Sequence, residues 1–243
     1  MEVTEVASGV WFAHTEVVNW VVLVEDGRVA LVDCGYPGQA PLVDESVRRS
    51  GADPERIEAL LLTHSHVDHT GSMPRLAALG ARVLAGAAEL PMLRGERVES
   101  ATALDVALRA WRPRVLAWGL RVARLGGTQH PRVDDPVPVA PGEPLDVPHA
   151  PVPVPLPGHT SGHTAYHLPD AGVVITGDAL VTGHSISPVS GPQAIDAFFH
   201  HDTRRLRATL PRLAELDADL VLPGHGPALS MPIAQAVAEA LAR

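Results

Sequence analysis

With 243 residues and 46% apolar side chains, the chain is long enough to bury the core of one large domain. A formal charge of −9 argues against a surface built throughout to coat nucleic acid, and no apolar run reaches the roughly 18 to 20 residues that cross a bilayer. The lone cysteine, Cys34, excludes an internal disulfide framework, and Met1-Glu2-Val3-Thr4-Glu5 lacks the basic start and apolar stretch of a secretory signal, so a reducing, cytoplasmic location is expected.

In chain order, the first elements read as strands at Val10–Ala13, Trp20–Val24 and Val29–Val32, the last two joined by the turn Glu25-Asp26-Gly27-Arg28. Asp33-Cys34-Gly35 ends the third strand, and a helix is predicted from about Gln39 to Arg49. Ile57–Leu62 is a nearly continuous apolar strand, as expected of a buried sheet position. Ser72-Met73-Pro74 opens a further helix with proline in its first turn. From about 87 to 125 the pattern is helical and amphipathic. Residues 131–157 then hold ten prolines, which exclude helix and central sheet and leave an extended connection with edge strands at most. Strands are predicted again at His163–Leu168, Gly172–Thr176 and Asp219–Leu222, with helices over Ile195–Leu216 and Met231–Arg243.

No repeat, heptad or linker divides the chain. Residues 1–243 therefore read as a single domain with a helical insert at about 87–125 and a proline-rich connection at about 131–157. Strand-rich blocks near both ends, each followed by helices, predict two packed sheets with helices outside. All nineteen basic residues are arginine and Asn19 is the only asparagine, which a GC-rich source explains without any appeal to chemistry.

The thirteen histidines are the anomaly, because several fall in short glycine-flanked clusters. Thr63-His64-Ser65-His66-Val67-Asp68-His69 places four metal-ligand types within six residues, directly after a buried strand. Alternate residues at a strand end face the same way, so His64 and His66 can converge on one ion. Asp68 and His69, past the turn, can reach a second ion nearby. Imidazole with carboxylate suits zinc, with manganese and iron as competitors. Three further glycine-bounded turns follow strands: Pro157-Gly158-His159-Thr160, Thr176-Gly177-Asp178 and Pro223-Gly224-His225-Gly226. Loops at the ends of rigid strands are where function concentrates.

In this order, His-x-His-x-Asp-His, Pro-Gly-His-Thr, Gly-Asp and Gly-His resemble the metallo-β-lactamase superfamily, over a span from Asp33 to His225. The resemblance implies an α/β (α+β) fold, a four-layer αββα sandwich. It implies two Zn2+ ions, with Mn2+ or Fe2+ as alternatives. His64, His66 and His159 would hold the first ion, Asp68, His69 and His225 the second, and Asp178 would bridge them. Asp33 would support the ligands from behind, and Asp68 would also orient the attacking water and carry a proton to the leaving group. The implied reaction is hydrolysis of a small-molecule thioester or lactone, like that of glyoxalase II or the lactonases. The alternative is persulfide oxidation at one iron held by His64, His159 and Asp178, which the presence of His225 disfavours. A β-lactamase is disfavoured by the missing export signal. A non-catalytic binding module is disfavoured by the complete ligand set.

Outside these motifs, Cys34 reads as a small buried residue and His163 as structural. His184 follows Asp178 closely enough to border the pocket. The insert carries Arg94, Arg97, Arg109, Arg112, Arg114, Arg121 and Arg124, with Trp111 and Trp118 seven apart and so on similar helical faces. A plain outer helix explains this pattern. A lid in which Arg109 and Arg112 bind an anionic substrate is the functional alternative, and a membrane-surface helix is a third reading. The sequence leaves the substrate and the oligomeric state, a homodimer included, open.

Overall fold

The computed structural model describes residues 1–243. Its first sheet runs in strict chain order through β1 (Glu2–Ala7), β2 (Val10–His14), β3 (Trp20–Glu25), β4 (Arg28–Val32), β5 (Ala59–Leu62), β6 (Arg82–Ala85) and β7 (Val137–Pro138). The second contains β8 (Val152–Pro155), β9 (Thr164–Leu168), β10 (Val173–Gly177), β11 (Leu220–Pro223) and β12 (Leu229–Ser230), also in chain order across the sheet. The helices are α1 (Ala40–Arg49), α2 (Val67–Thr70), α3 (Met73–Ala78), α4 (Leu90–Leu93), α5 (Ala103–Ala107), α6 (Pro113–Arg124), α7 (Thr203–Thr209) and α8 (Ile233–Leu241).

The strand sequences explain the layering. All four residues of β5 and all five of β10 are buried, because each strand lies between neighbours and both faces are covered. β4, β5 and β6 pair in parallel, as do β10 and β11. Alternate residues of the first sheet, among them Phe12, Val21, Leu23, Val32 and Leu61, pack against Tyr166, Leu168, Val173, Ile175 and Leu222 of the second. The opposite face of the first sheet, with Val22, Leu31, Leu60 and Leu62, is covered by Val43 and Val47 of α1 and Met73 and Leu76 of α3. The outer face of the second is covered by Leu206 of α7 and by Ile233, Ala236, Val237 and Ala240 of α8, the spacing of one helical face. Each fully buried aliphatic side chain contributes about 1.5–3 kcal/mol. The result is the four-layer αββα sandwich.

The two short strands of the proline-rich stretch, β7 and β8, are both edge strands, where a missing amide donor costs no ladder hydrogen bond. Elsewhere the structure departs from the sequence expectations. β1 and β6 form where none was predicted; β6 is only four residues and β1 has no buried residue, so neither carries a strong apolar run. The helical insert is broken. Gly95 takes a positive φ of 75° just past α4, and Pro113 restarts the helix at α6. Trp111 therefore precedes α6 and is 81% exposed, so it does not share a helical face with Trp118. The helix predicted over 195–216 shrinks to α7, where the Asp202 side chain accepts from the Arg205 amide as N-cap. Pro211 then sits in a 3-10 stretch from Leu210 to Glu215.

Candidate metal centre

Four of the parallel strands end in a site residue. Asp33 follows β4, Thr63 and His64 follow β5, Asp178 follows β10, and Gly224 and His225 follow β11. His66 caps the start of α2, which carries Asp68 and His69, and His159 lies in the turn between β8 and β9. The carboxyl ends of parallel strands are where open α/β sheets build their sites. Here the ends of both sheets meet. Three overlapping groups result, each able to hold an ion: His64, His66 and His159; His64, His69 and Asp178; and Asp68, His69 and His225.

The donor chemistry can be derived atom by atom, because the far nitrogen of each ring has an assigned partner. Nε2 of His66 lies 2.7 Å from the Glu99 carbonyl, and Nδ1 of His225 lies 2.6 Å from the Val17 carbonyl. Carbonyls only accept, so both nitrogens carry protons. Nδ1 of His69 donates to the Asp33 carboxylate at 2.7 Å. The Thr63 hydroxyl donates to Asp33 at 2.7 Å and so accepts from Nδ1 of His64 at 3.0 Å. Wherever such a ring is neutral, its near nitrogen is therefore bare. Nε2 of His159 sits 3.2 Å from Nε2 of His64 and 3.0 Å from Nδ1 of His66. Nε2 of His225 sits 3.1 Å from Asp178 and 3.4 Å from Asp68. Nε2 of His69 and Oδ1 of Asp178 are buried with no hydrogen-bond partner. Lone pairs facing lone pairs in a buried site repel unless a cation, or a proton, lies between them. This donor set fits metal ions of the zinc class.

The electrostatics show the proton alternative. Burial works to lower the pKa of His225, but Asp178 and Asp68 outweigh it and push it up to about 9. His69 is raised as well, against burial, by Asp33, Asp178 and Asp68. Burial would raise Asp68, but His69 and His225 hold it at about 2. His64 and His159, by contrast, are lowered, by burial first and then by neighbouring imidazoles. One half of the site is neutral imidazole and the other is a charged carboxylate–imidazole cluster.

The scaffold around the site is tight. Asp33 takes φ +62°, a left-handed conformation that aspartate tolerates better than most residues. From there it also accepts the Thr63 amide at 2.8 Å. A Cβ at Gly224 would lie 2.2 Å from Asp178 Oδ1 and 2.9 Å from His69 Cε1, so only glycine fits there. His163 accepts the Asp178 amide at 3.1 Å, the structural use expected of it. Cys34 is buried and its thiol donates to the His69 carbonyl at 3.2 Å.

Four supporting residues were not singled out in the sequence. Asn19 donates to the carbonyls of Pro223 and Gly226 at 2.9 and 2.7 Å and so holds the loop of His225; its being the only asparagine was the one available hint. Buried Glu89 accepts from the Thr160 hydroxyl and, at 2.9 Å, from the Gly162 amide. Glu99 accepts the Ser161 amide at 2.7 Å while its own carbonyl takes His66. His200 contacts His159. Such contacts between loops carry no local sequence pattern.

A cavity of about 450 Å³ opens beside His225 and is lined by His184, Arg121, His14 and Thr15 among others. The His184 ring lies 4.7 Å from that of His225, and Trp118 and Phe199 pack against His184 at 5.9 and 5.4 Å. Arg112 instead pairs with Asp196 at 2.8 Å, and Arg109 stacks over Phe198 at 4.5 Å. Both tie the insert to the segment before α7, whereas Arg121 is the insert arginine on the cavity wall, paired with Glu16.

Comparison with known proteins agrees with this architecture. The chain is 30% identical over 212 residues to a hydroxyacylglutathione hydrolase of Fuscovulum blasticum, covering 85% of this chain and 62% of that protein. It is 25% identical over 244 residues to a probable metallo-hydrolase of Bacillus subtilis (strain 168), covering 91% and 85% respectively. A crystal structure of a metallo-beta-lactamase family protein from Thermus thermophilus superimposes with a TM-score of 0.71 at 28% identity, covering 98% of this chain and 80% of that one. The hydroxyacylglutathione hydrolase is thus matched over less than two thirds of its length. Residues 15–225 match the sequence family of the metallo-beta-lactamase superfamily, and the chain belongs to that superfamily.

Proposed function

We propose that this chain is a metal-dependent hydrolase that cleaves a small-molecule thioester or lactone at a two-metal site. His64, His66 and His159 hold one ion, Asp68, His69 and His225 the other, and Asp178 lies between them. The observation that carries this reading is the convergence of bare imidazole nitrogens and two carboxylates on one buried volume. The choice of thioester rests on the similarity to hydroxyacylglutathione hydrolase. Lactone cleavage is retained because the same acyl chemistry serves both.

Bound there, a pair of divalent ions would supply Lewis acidity, lowering the pKa of a water towards neutrality and polarising a carbonyl. The chain's own residues do the rest. Asp68, only partly buried among the ligands, accepts the water's proton and returns it to the leaving thiolate or alkoxide. By accepting from the far nitrogens of His69, His64, His66 and His225, Asp33, Thr63 and the Glu99 and Val17 carbonyls keep those four imidazoles in the ligating tautomer. His184 and Arg121 line the approach, and the rings of Trp118 and Phe199 shield it from water. Arg121 offers an anionic substrate a charge-assisted contact in place of Glu16.

The test is turnover of acyl thioesters and lactones by the zinc-loaded chain, with Asp178→Asn and His64→Ala alongside. Both variants should lose at least about a hundredfold in kcat/KM and bind less metal. Near-normal turnover in either would refute the assignment.

A further inference from the structure

His159 differs from the other candidate ligands in that its far nitrogen meets another imidazole rather than an oxygen. Its Nδ1 lies 2.9 Å from Nδ1 of His200, with the rings 5.1 Å apart and nearly perpendicular at 83°. Nε2 of His200 lies 3.2 Å from the Ile195 carbonyl. A carbonyl cannot donate, so in neutral His200 the proton sits on Nε2 and Nδ1 is bare. Nδ1 of His200 can then only accept, and Nδ1 of His159 must donate. That leaves Nε2 of His159 bare and aimed at Nε2 of His64 and Nδ1 of His66. The backbone holds this arrangement in place: the His201 amide donates to the His159 carbonyl at 2.9 Å, and the Asp202 amide to the Gly158 carbonyl at 2.8 Å.

We infer that His200 is a positioning residue for metal binding, relaying the polarity of the Ile195 carbonyl through two imidazoles so that His159 presents its Nε2 lone pair. The inference rests on the reading of His159 as a ligand. Removing the acceptor leaves His159 free to adopt the other tautomer, whose Nε2 proton blocks the site. Second-layer partners of this kind change metal affinity by about 10- to 100-fold.

Asparagine and glutamine separate this role from simple packing. In His200→Asn the side-chain oxygen can take the place of Nδ1 and accept from His159. In His200→Gln the amide reaches the position of Nε2, towards Ile195, and leaves His159 without an acceptor. The full-length chain, stripped of metal, would be titrated with zinc against a chelator of known affinity. Long-range 1H–15N correlation spectra of the metal-free wild type would report the His159 tautomer, and thermal melts would report folding. The expected result is a proton on Nδ1 of His159, one zinc equivalent weakened about 10- to 100-fold in His200→Gln, and near wild-type affinity in His200→Asn. Wild-type affinity in a folded His200→Gln, or a proton on Nε2 of His159 in the wild type, would overturn the inference. The tautomer measurement stands even if a variant fails to fold. His159→Ala tests the underlying reading separately: undiminished binding of two zinc equivalents would refute His159 as a ligand, whatever its tautomer.

Discussion

Replacing Asp33 with asparagine removes one charge and almost no volume, and the structure fixes what should follow. Oδ1 of Asp33 accepts the Thr63 amide at 2.8 Å, while Oδ2 accepts the Thr63 hydroxyl and Nδ1 of His69, both at 2.7 Å. In Asp33→Asn the new amide oxygen can keep the first bond, but its NH2 group then faces the other two donors. Hydrogen bonds to a charged acceptor are each worth about 1.5–3 kcal/mol. With partial relaxation, a loss of roughly 2–4 kcal/mol in unfolding free energy is expected. The consequence for function is more specific. His69 escapes the clash by moving its proton to Nε2, where it accepts from the new amide through Nδ1. That consumes the lone pair that faces Asp68 and Asp178. Binding of the zinc equivalent held by His69 should weaken about 10- to 100-fold, or roughly 1.4–2.7 kcal/mol, and the Thr63 hydroxyl, which loses the same acceptor, no longer fixes the tautomer of His64. Zinc titration of the stripped protein, with urea unfolding alongside, measures both effects. Two equivalents binding with wild-type affinity would refute the reasoning.

Metal affinity should also depend on pH. In the metal-free chain His225 is held protonated up to about pH 9 by Asp178 and Asp68, so an ion arriving at pH 7 must displace that proton. Affinity at this half of the site should rise by about tenfold or more per pH unit between roughly 7 and 9, because the raised His69 must give up a proton as well; a flat profile would contradict this. Cys34 is fully buried, and burial raises its thiol pKa, so thiol reagents should label it only on unfolding and Cys34→Ser should retain activity. Arg121→Glu should raise KM for an anionic substrate about tenfold or more, the equivalent of one charge-assisted contact. Arg109→Glu and Arg112→Glu should act less on KM and more on stability, since these arginines already hold Phe198 and Asp196; equal KM effects at all three would contradict this assignment.

The loops that carry the proposed ligands stand out in the sequence because strand ends followed by Gly, His and Asp at fixed spacing leave few other uses for such residues. The αββα layering was legible for a related reason: β5 and β10 are apolar on both faces, which only a doubly covered sheet requires. Less could be read where tertiary contact decides. β6 is too short to stand out, Gly95 and Pro113 break what looked like one helical insert, and the 195–201 segment forms no regular helix. That segment delivers His200 to His159 and Phe199 to Trp118. Asn19 and Glu89 support loops about 70 to 200 residues away, a distance at which no periodicity reports the contact. The seven motif residues identify where metal would bind, while the supporting hydrogen bonds come from residues whose partners only the fold reveals.

The central claim is two ions in one site, and metal stoichiometry tests it most directly. The chain, expressed and reconstituted with excess zinc and then freed of unbound metal, should carry close to two ions per polypeptide by elemental analysis, falling towards one or none in Asp178→Asn. A single tightly held iron in the purified chain would contradict the two-metal hydrolase and favour oxidation of a persulfide. No bound metal after reconstitution would contradict the account as a whole.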